Sequence, residues 1–126
     1  MSFSNTTETH VLNYLLTNAS VSRPTAWYVA LYTAAPSDSG GGTELTGSGY
    51  TRQSVGFTVS GDTASNTGAV EFPAATGNWG AITHAAVFDA SSGGNIIAHS
   101  ALTTSKTIDS GDVFRITAGS LDITLD

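Results

Sequence analysis

A chain of 126 residues without cysteine predicts a single domain whose core forms without disulfides or thiolate metal sites, and it excludes a cysteine nucleophile. Ten acidic and four basic residues give a formal net charge of −6. Because binding to a row of phosphates needs a cluster of cations, this balance argues against nucleic acid or an anionic membrane surface as a partner.

The N-terminal segment, residues 1–24, carries the helical pattern of the chain. Asn5, followed three residues later by Glu8, matches a capping box at the start of a helix. Four apolar residues then recur at helical spacing: Val11, Leu12, Leu15 and Leu16. We therefore expect a helix of about three turns that docks this apolar stripe onto a sheet.

The most apolar and aromatic run is segment 26–33, which Pro24 and Pro36 bound on either side. In an extended chain, Trp27, Val29 and Leu31 share one face, while the opposite face carries two tyrosines and an alanine. Bulk on both faces predicts a central strand that is covered on both sides, with all three of these residues in the core.

The longest polar connection is segment 34–49, which is rich in glycine and serine. A connection of this length predicts either a mobile surface loop or an arm that contacts a partner subunit. After it, short apolar runs alternate with turn signals such as Gly61-Asp62 and Ser91–Gly94.

Strands are predicted at 50–60, 69–72, 82–89, 95–103, 113–117 and 121–125. With the central strand and shorter segments, about seven to nine strands predict a mainly β fold, an antiparallel β-sandwich of the jelly-roll or immunoglobulin-like kind with one short N-terminal α-helix. We assign residues 1–24 to the helix and its connector, as part of the same domain, and residues 25–126 to the β-sandwich.

The sequence offers little catalytic chemistry. His84 and His99 fall on neighbouring predicted strands, but a metal site would need them to converge with a carboxylate, and their small apolar surroundings favour structural histidines. A Ser-His-Asp triad lacks the nucleophile elbow that would present its serine. Asp109 and Asp112 fit a turn, with a weak calcium site as the alternative. We expect no catalytic, metal or cofactor-binding residues, and hence no enzyme.

We expect the residues that contact a partner to lie in the loops. Trp79 follows Asn78 in a loop and is predicted either as an exposed anchor for a partner or a sugar, or as a side chain that folds back over the end of the sheet. Arg52 is predicted to pair with an acid such as Glu71 or Glu44. The interface candidates are Trp79, Asn78, Glu44, Leu45 and Tyr50.

A series of short motifs runs in a fixed order through nearly the whole chain after the helix. They are WYVALYT at 27–33, a proline and a glycine-rich loop with Glu44, GYTRQ at 49–53, SNT at 65–67, FP at 72–73, WG at 79–80, VFD at 87–89, GG at 93–94, GD at 111–112 and LDITL at 121–125. In this order the chain resembles a family of small bacteriophage structural proteins, described as tail-fibre-like or virion proteins. The resemblance implies a place in the phage particle and brings no catalytic residues.

We therefore expect a virion structural protein, first of all a capsid decoration or cement protein that stabilises the particle by burying surface between subunits. The alternative is a tail-fibre or receptor-binding (adhesin) module; a small hydrolase is the weakest reading. The expected partners are other virion proteins (the major capsid protein or tail proteins) and further copies of the chain, with a trimer as one closed arrangement. The expected location is the virion, after assembly in the host cytoplasm.

Overall fold

The computed structural model describes residues 1–125. This part of the chain forms one helix, α1 (Asn5–Leu16), and eleven strands: β1 (Ser2–Phe3), β2 (Tyr28–Ala34), β3 (Thr43–Glu44), β4 (Gln53–Ser54), β5 (Phe57–Ser60), β6 (Thr63–Asn66), β7 (Val70–Glu71), β8 (Gly80–Phe88), β9 (Ile96–Ile108), β10 (Arg115–Ile116) and β11 (Asp122–Thr124). Across these residues, no helix has the length and apolar character needed to span a membrane.

The strands form one large and two small antiparallel sheets. The large sheet has the order β1-β9-β8-β2-β3, with β4 also paired to β2. The small sheets are β10-β7 and β11-β6-β5. The predicted mainly β fold with antiparallel sheets and one helix is confirmed, and the open sheets are consistent with a β-sandwich.

Strand β2 lies inside the large sheet, as its two-sided pattern predicts. Val29 and Leu31 are fully buried in the main core, and Ala30 and Tyr32 are buried on the opposite face. Trp27 differs from the prediction: it precedes the strand, is only partly buried and packs against the edge of the core. The pattern identified the covered strand correctly but placed its start too early.

The N-cap of helix α1 lies one residue earlier than predicted. Ser4, not Asn5, is the N-cap, and its side chain accepts a hydrogen bond of 3.2 Å from the amide of Thr7. Ser4 is fully buried, and its own amide donates to the carbonyl of Ile97 in β9 at 2.8 Å. The hydroxyl of Thr7 donates to the same carbonyl at 2.9 Å. The first turn of the helix is therefore fixed to the large sheet.

The prediction that α1 docks its apolar stripe onto the sheet is wrong. No residue of the helix is buried, and Leu12, Leu15 and Leu16 are exposed. The hydrogen bonds at Ser4 and Thr7 fix the rotation of the helix, whose partly buried side chains are Thr7, His10, Val11 and Asn13. The leucines consequently point away from the protein.

Strand β9 is longer than predicted and is interrupted. It continues to Ile108, which is buried opposite Gly80. Lys106 pairs with Ile82 and Ala101 pairs with His84, so four residues of β9 bulge opposite a single residue of β8. The polar run 103–107 has no apolar alternation, which is why the sequence did not reveal this part of the strand.

Candidate functional site

The densest polar cluster, which we call the Arg52 cluster, joins Arg52, Glu44 and Tyr50 to Phe88 and the β8–β9 loop. Arg52 Nε donates to Glu44 Oε2 and Arg52 Nη2 donates to Glu44 Oε1, each at 2.8 Å. The side chains of Arg52 and Glu44 are only 8% and 24% exposed. The predicted pairing of Arg52 with an acid is confirmed, with Glu44 as the partner.

The other side of the Arg52 guanidinium reaches the loop between β8 and β9. Nη1 donates to the carbonyl of Ala90 at 2.9 Å and to that of Gly93 at 2.8 Å. The guanidinium carbon lies 3.7 Å from the ring centroid of Phe88, within the range of a cation–π contact. One side chain thus ties the β3–β4 segment to the tip of the β8–β9 hairpin, a contact that the sequence analysis missed.

Tyr50 completes the Arg52 cluster. Its hydroxyl donates to Glu44 Oε2 at 2.7 Å and accepts from the amide of Leu31 at 3.1 Å. Its ring stacks on Phe72, with centroids 6.1 Å apart, and meets Trp79 edge-on at 5.8 Å. Tyr50 and Glu44 hold the protein's own loops together, and their place in an interface stays a prediction.

The electrostatics of the cluster favour a fixed ion pair over acid–base chemistry. Burial alone would raise the pKa of Glu44, but hydrogen bonds from Arg52 and Tyr50, with the charge of Arg52, hold that pKa below its ordinary value. Burial, reinforced by the hydrogen bond to Glu44, raises the pKa of Tyr50 far above its usual range. The hydrogen bond to Glu44 raises the pKa of Arg52. None of these groups is tuned towards neutral pH, where general acids and bases work best.

Trp79 takes the second of its two predicted positions. It is 6% exposed, and its indole Nε1 donates to the carbonyl of Ser48 at 2.9 Å. Its backbone amide donates a hydrogen bond to the carbonyl of Ile108 at 2.8 Å. The tryptophan folds back into the core, so its role as an exposed anchor is corrected.

The two remaining interface candidates differ in exposure. Leu45 is half-buried against the core, and its amide donates to the carbonyl of Leu31 at 3.0 Å. Asn78 is exposed, and its Oδ1 accepts from the amide of Ser110 at 3.0 Å. Of the five candidates, Asn78 is the one whose side chain faces solvent.

The segment predicted as the long loop 34–49 contains the short strand β3, which pairs with β2, and is held to the domain at further points. The carbonyl of Asp38 accepts from the amide of Asn5 at 3.0 Å, and the carbonyl of Ser48 also accepts from the amide of Thr76 at 3.0 Å. Gly42, at a φ of +72°, sits so close to Pro36 that a Cβ would lie 2.7 Å from its nitrogen. These contacts pin the loop at several points along its length.

His84 and His99 each lie beside a polar side chain. His99 Nε2 lies 2.7 Å from Asp38 Oδ1, and His84 Nδ1 lies 2.8 Å from the hydroxyl of Thr83. Within residues 1–125, no group of three or more histidine, cysteine or acidic side chains is arranged to hold a metal ion. The His99–Asp38 contact ties the long loop to β9, which is a structural function.

A model of a known protein family matches nearly all of the described domain. The family model described as "Podophage GP4 fiber I protein gp80" matches residues 2–124, a span that includes α1 and all three sheets. No curated protein matches the chain. The resemblance to small phage structural proteins is confirmed by this match. The chain therefore belongs to the podophage GP4 fiber I protein gp80 family, and it is a structural component of the bacteriophage virion.

Proposed function

We propose that the protein is a non-catalytic structural subunit of a fibre on the phage particle. The observation that carries this proposal is the family match, because it names a fibre protein and extends over residues 2–124, which is nearly the whole domain. The proposed partners are the other virion proteins that build or attach the fibre.

The Arg52 cluster supports a mechanical role. A fibre subunit must keep its shape while it is held at its contacts, and loops are usually the most mobile parts of a domain. Here Arg52 donates four hydrogen bonds to Glu44 and to the β8–β9 loop, and Trp79 fixes the end of the long loop through Ser48. These hydrogen bonds therefore hold the loops to the rest of the domain.

The ionisable side chains bind one another within the domain, and this supports a non-catalytic role. Glu44, Arg52 and Tyr50 hold one another, and their pKa values are displaced away from neutral pH. His99 is paired with Asp38. These are the arrangements of a structural network, in which charges stabilise the fold.

Capsid decoration, the first expectation from the sequence, is the competing location. The family description favours the fibre, whereas decoration rested on the compact β fold and on the long loop as a reaching arm. Since that loop is pinned through Asp38 and Ser48, it gives decoration no added support.

Antibody labelling of purified particles tests the location. We expect gold-conjugated antibodies against this protein to label the fibres in electron micrographs, while antibodies against the major capsid protein label the capsid faces in the same preparation. Label spread over the capsid faces, at tens to hundreds of copies per particle, would overturn the proposal in favour of decoration.

A receptor-binding role within the fibre makes a separate prediction. If the subunit only builds the fibre, the purified protein should leave the adsorption of phage to host cells unchanged. Adsorption that slows as purified protein is added would show that this domain binds the host surface itself.

A further inference from the structure

Strand β5 forms an open edge of the three-stranded sheet. It pairs with β6 on one side, from Phe57 opposite Asn66 to Ser60 opposite Thr63, in continuous register. Among the described strands of four residues or more, β2, β6 and β8 are paired on both sides. Strand β9 is covered by β1 and then bulges and carries Lys106, which are devices that prevent strand-to-strand association. Strand β5 contains neither a bulge nor a lysine or proline, so its edge remains able to pair.

The backbone groups of Phe57 and Val59 point away from β6. The amide of Thr67 donates to the carbonyl of Gly56 at 3.0 Å, so these two residues form a hydrogen-bonded pair of the ladder. Because hydrogen-bonded pairs alternate along an antiparallel ladder, the groups of Thr58 bond to β6, whereas those of Phe57 and Val59 face outwards. Within residues 1–125, no other backbone group bonds to them. Donors and acceptors in this spacing match the backbone of another extended chain.

The side chain of Val59 lies on the inner face of its sheet but is uncovered. Val59 is opposite Ala64, and Ala64 is opposite Ile123, so the three side chains share one face. Ile123 is 8% exposed and belongs to the main core, whereas Val59 is 71% exposed. The inner face is therefore incomplete at β5, where it lacks the apolar side chains of a further strand.

A groove lies beside Val59, between the small sheet and the large sheet. Its volume is about 460 Å³, and its walls include Phe57 of β5, Val87 of β8 and Ile97 of β9. Trp27, which precedes β2, also lines it. Since successive side chains of a strand point to opposite faces, a strand added to β5 would direct every second side chain into this groove. Backbone hydrogen bonds together with pockets for alternate side chains are the two elements of recognition by strand addition.

The charge of the chain favours a different protein over a second copy as the source of the strand. The charged groups among the described lining residues are Asp62 and Arg23, one of each sign, so the groove itself has no preference. The whole chain has a net charge of −6, which repels a second copy and attracts a segment with net positive charge. The matching segment is therefore extended, apolar at alternate positions and positively charged.

We propose that β5 accepts such a segment from another virion protein as an added strand, whose apolar side chains fill the groove beside Val59. The choice of a virion protein as the partner rests on the proposed function, whereas strand addition depends on the open edge and the groove. Gold label on the capsid faces would overturn the location in the fibre, and the experiments below would still decide whether β5 accepts a strand.

Photo-cross-linking in assembled particles identifies what covers β5. A photoreactive phenylalanine analogue at position 59 should link this chain to a different virion protein, at a positively charged segment with alternating apolar residues. The same analogue in place of Val113, which is exposed and lies outside the groove, should link to that protein roughly tenfold less or not at all. Links from position 59 to a second copy of this chain, links to an acidic segment, or yields equal to those from position 113 would overturn the proposal.

Two substitutions at position 59 block the edge in different ways. Val59→Lys places a charge at the groove, and Val59→Pro removes the outward amide without removing a hydrogen bond to β6. Each variant, supplied during assembly in competition with the wild type, should enter particles roughly tenfold less often. The matched control Val113→Lys adds the same charge at another exposed valine and should enter normally. Circular dichroism confirms folding beforehand, and folded Val59 variants that enter as often as Val113→Lys would overturn the proposal.

Hydrogen exchange tests the backbone pairing without any substitution. The amides of Phe57 and Val59 should exchange roughly tenfold or more slowly in assembled particles than in the free protein, because each gains an acceptor on the added strand. The amide of Thr58 already bonds to β6 and should change less. Equal exchange of Phe57 and Val59 in the two states would overturn the proposal even if both substitutions at position 59 prevented folding.

Discussion

Arg52 and Glu44 meet through two parallel hydrogen bonds, 2.8 Å from Nε to Oε2 and 2.8 Å from Nη2 to Oε1. This fork-to-fork geometry is specific to arginine, because a lysine ammonium is a point charge. The remaining terminal nitrogen of Arg52 binds two carbonyls of the β8–β9 loop. The stability of two loops therefore depends on one guanidinium.

Replacing Arg52 tests this dependence. Arg52→Ala should lower the free energy of unfolding by about 2–3 kcal/mol, because it leaves the Glu44 carboxylate largely buried without its partner. Arg52→Lys should lose about 1–2 kcal/mol, since one ammonium cannot replace four directed hydrogen bonds. Urea unfolding followed by tryptophan fluorescence measures both. The control, Arg115→Ala, removes an exposed arginine and should stay within about 0.5 kcal/mol of wild type; a loss as large as that of Arg52→Ala would refute the argument.

Lowering the pH should reduce the free energy of unfolding, partly because Glu44 becomes protonated. Its pKa is lower in the folded protein than in the unfolded chain, so the ion pair stabilises the fold above the ordinary carboxyl pKa of about 4.3. That contribution falls as the pH drops from this value through the lowered folded-state pKa. Glu44→Gln should therefore be less stable than wild type at pH 7, and the difference between the two should shrink across this acidic range. Unfolding at a series of pH values measures it, with Glu8→Gln as a control outside the cluster; a constant difference would contradict the assignment.

Removing only the hydroxyl of Tyr50 isolates its two hydrogen bonds. Tyr50→Phe keeps the packing on Phe72 and Trp79 but leaves the amide of Leu31 without its acceptor. We expect a loss of about 1–3 kcal/mol in the free energy of unfolding. Tyr14→Phe deletes an exposed hydroxyl and should be neutral. Equal stability of the two variants would mean that water replaces the Tyr50 hydroxyl without cost.

The β8–β9 loop offers a matched pair of glycines. Both have positive φ, +62° at Gly93 and +73° at Gly94, but a Cβ at Gly93 would meet nothing within 4 Å. A Cβ at Gly94 would lie 2.5 Å from Asp89 Oδ1 and 2.7 Å from the Cβ of Ala90. Gly93→Ala should cost about 1 kcal/mol from backbone strain alone, and Gly94→Ala clearly more. Thermal unfolding of the two variants compares them; the reverse order would contradict the loop geometry.

Local patterns in the sequence predict some of these features. The alternation around Val29 and Leu31 identifies a strand covered on both faces, because burial of both faces leaves a continuous apolar run. The placing of Arg52 near an acid follows from the cost of leaving a guanidinium unpaired. For the strand, the decisive information lies within a few residues, whereas the choice of Glu44 over Glu71 as the partner of Arg52 is made by the fold.

Other features depend on partners far along the chain. Trp79 is buried because the carbonyl of Ser48 and the ring of Tyr50 are brought to it by the fold, and its neighbours in sequence give no sign of this. The spacing of Leu12 and Leu16 shows that they share a face, but not whether that face meets the chain's own sheet. The hydrogen bonds from Ser4 and Thr7 to Ile97 decide the rotation of the helix.

The anchoring of α1 also sets an order of events during synthesis. Thr7 and its acceptor at Ile97 are 90 positions apart, so the first turn of the helix lacks its two hydrogen bonds to the large sheet until β9 has been made and paired. Pulse-labelled hydrogen exchange should accordingly show α1 amides gaining protection no earlier than those of β9. The helix is therefore expected to become ordered only after most of the chain has been made.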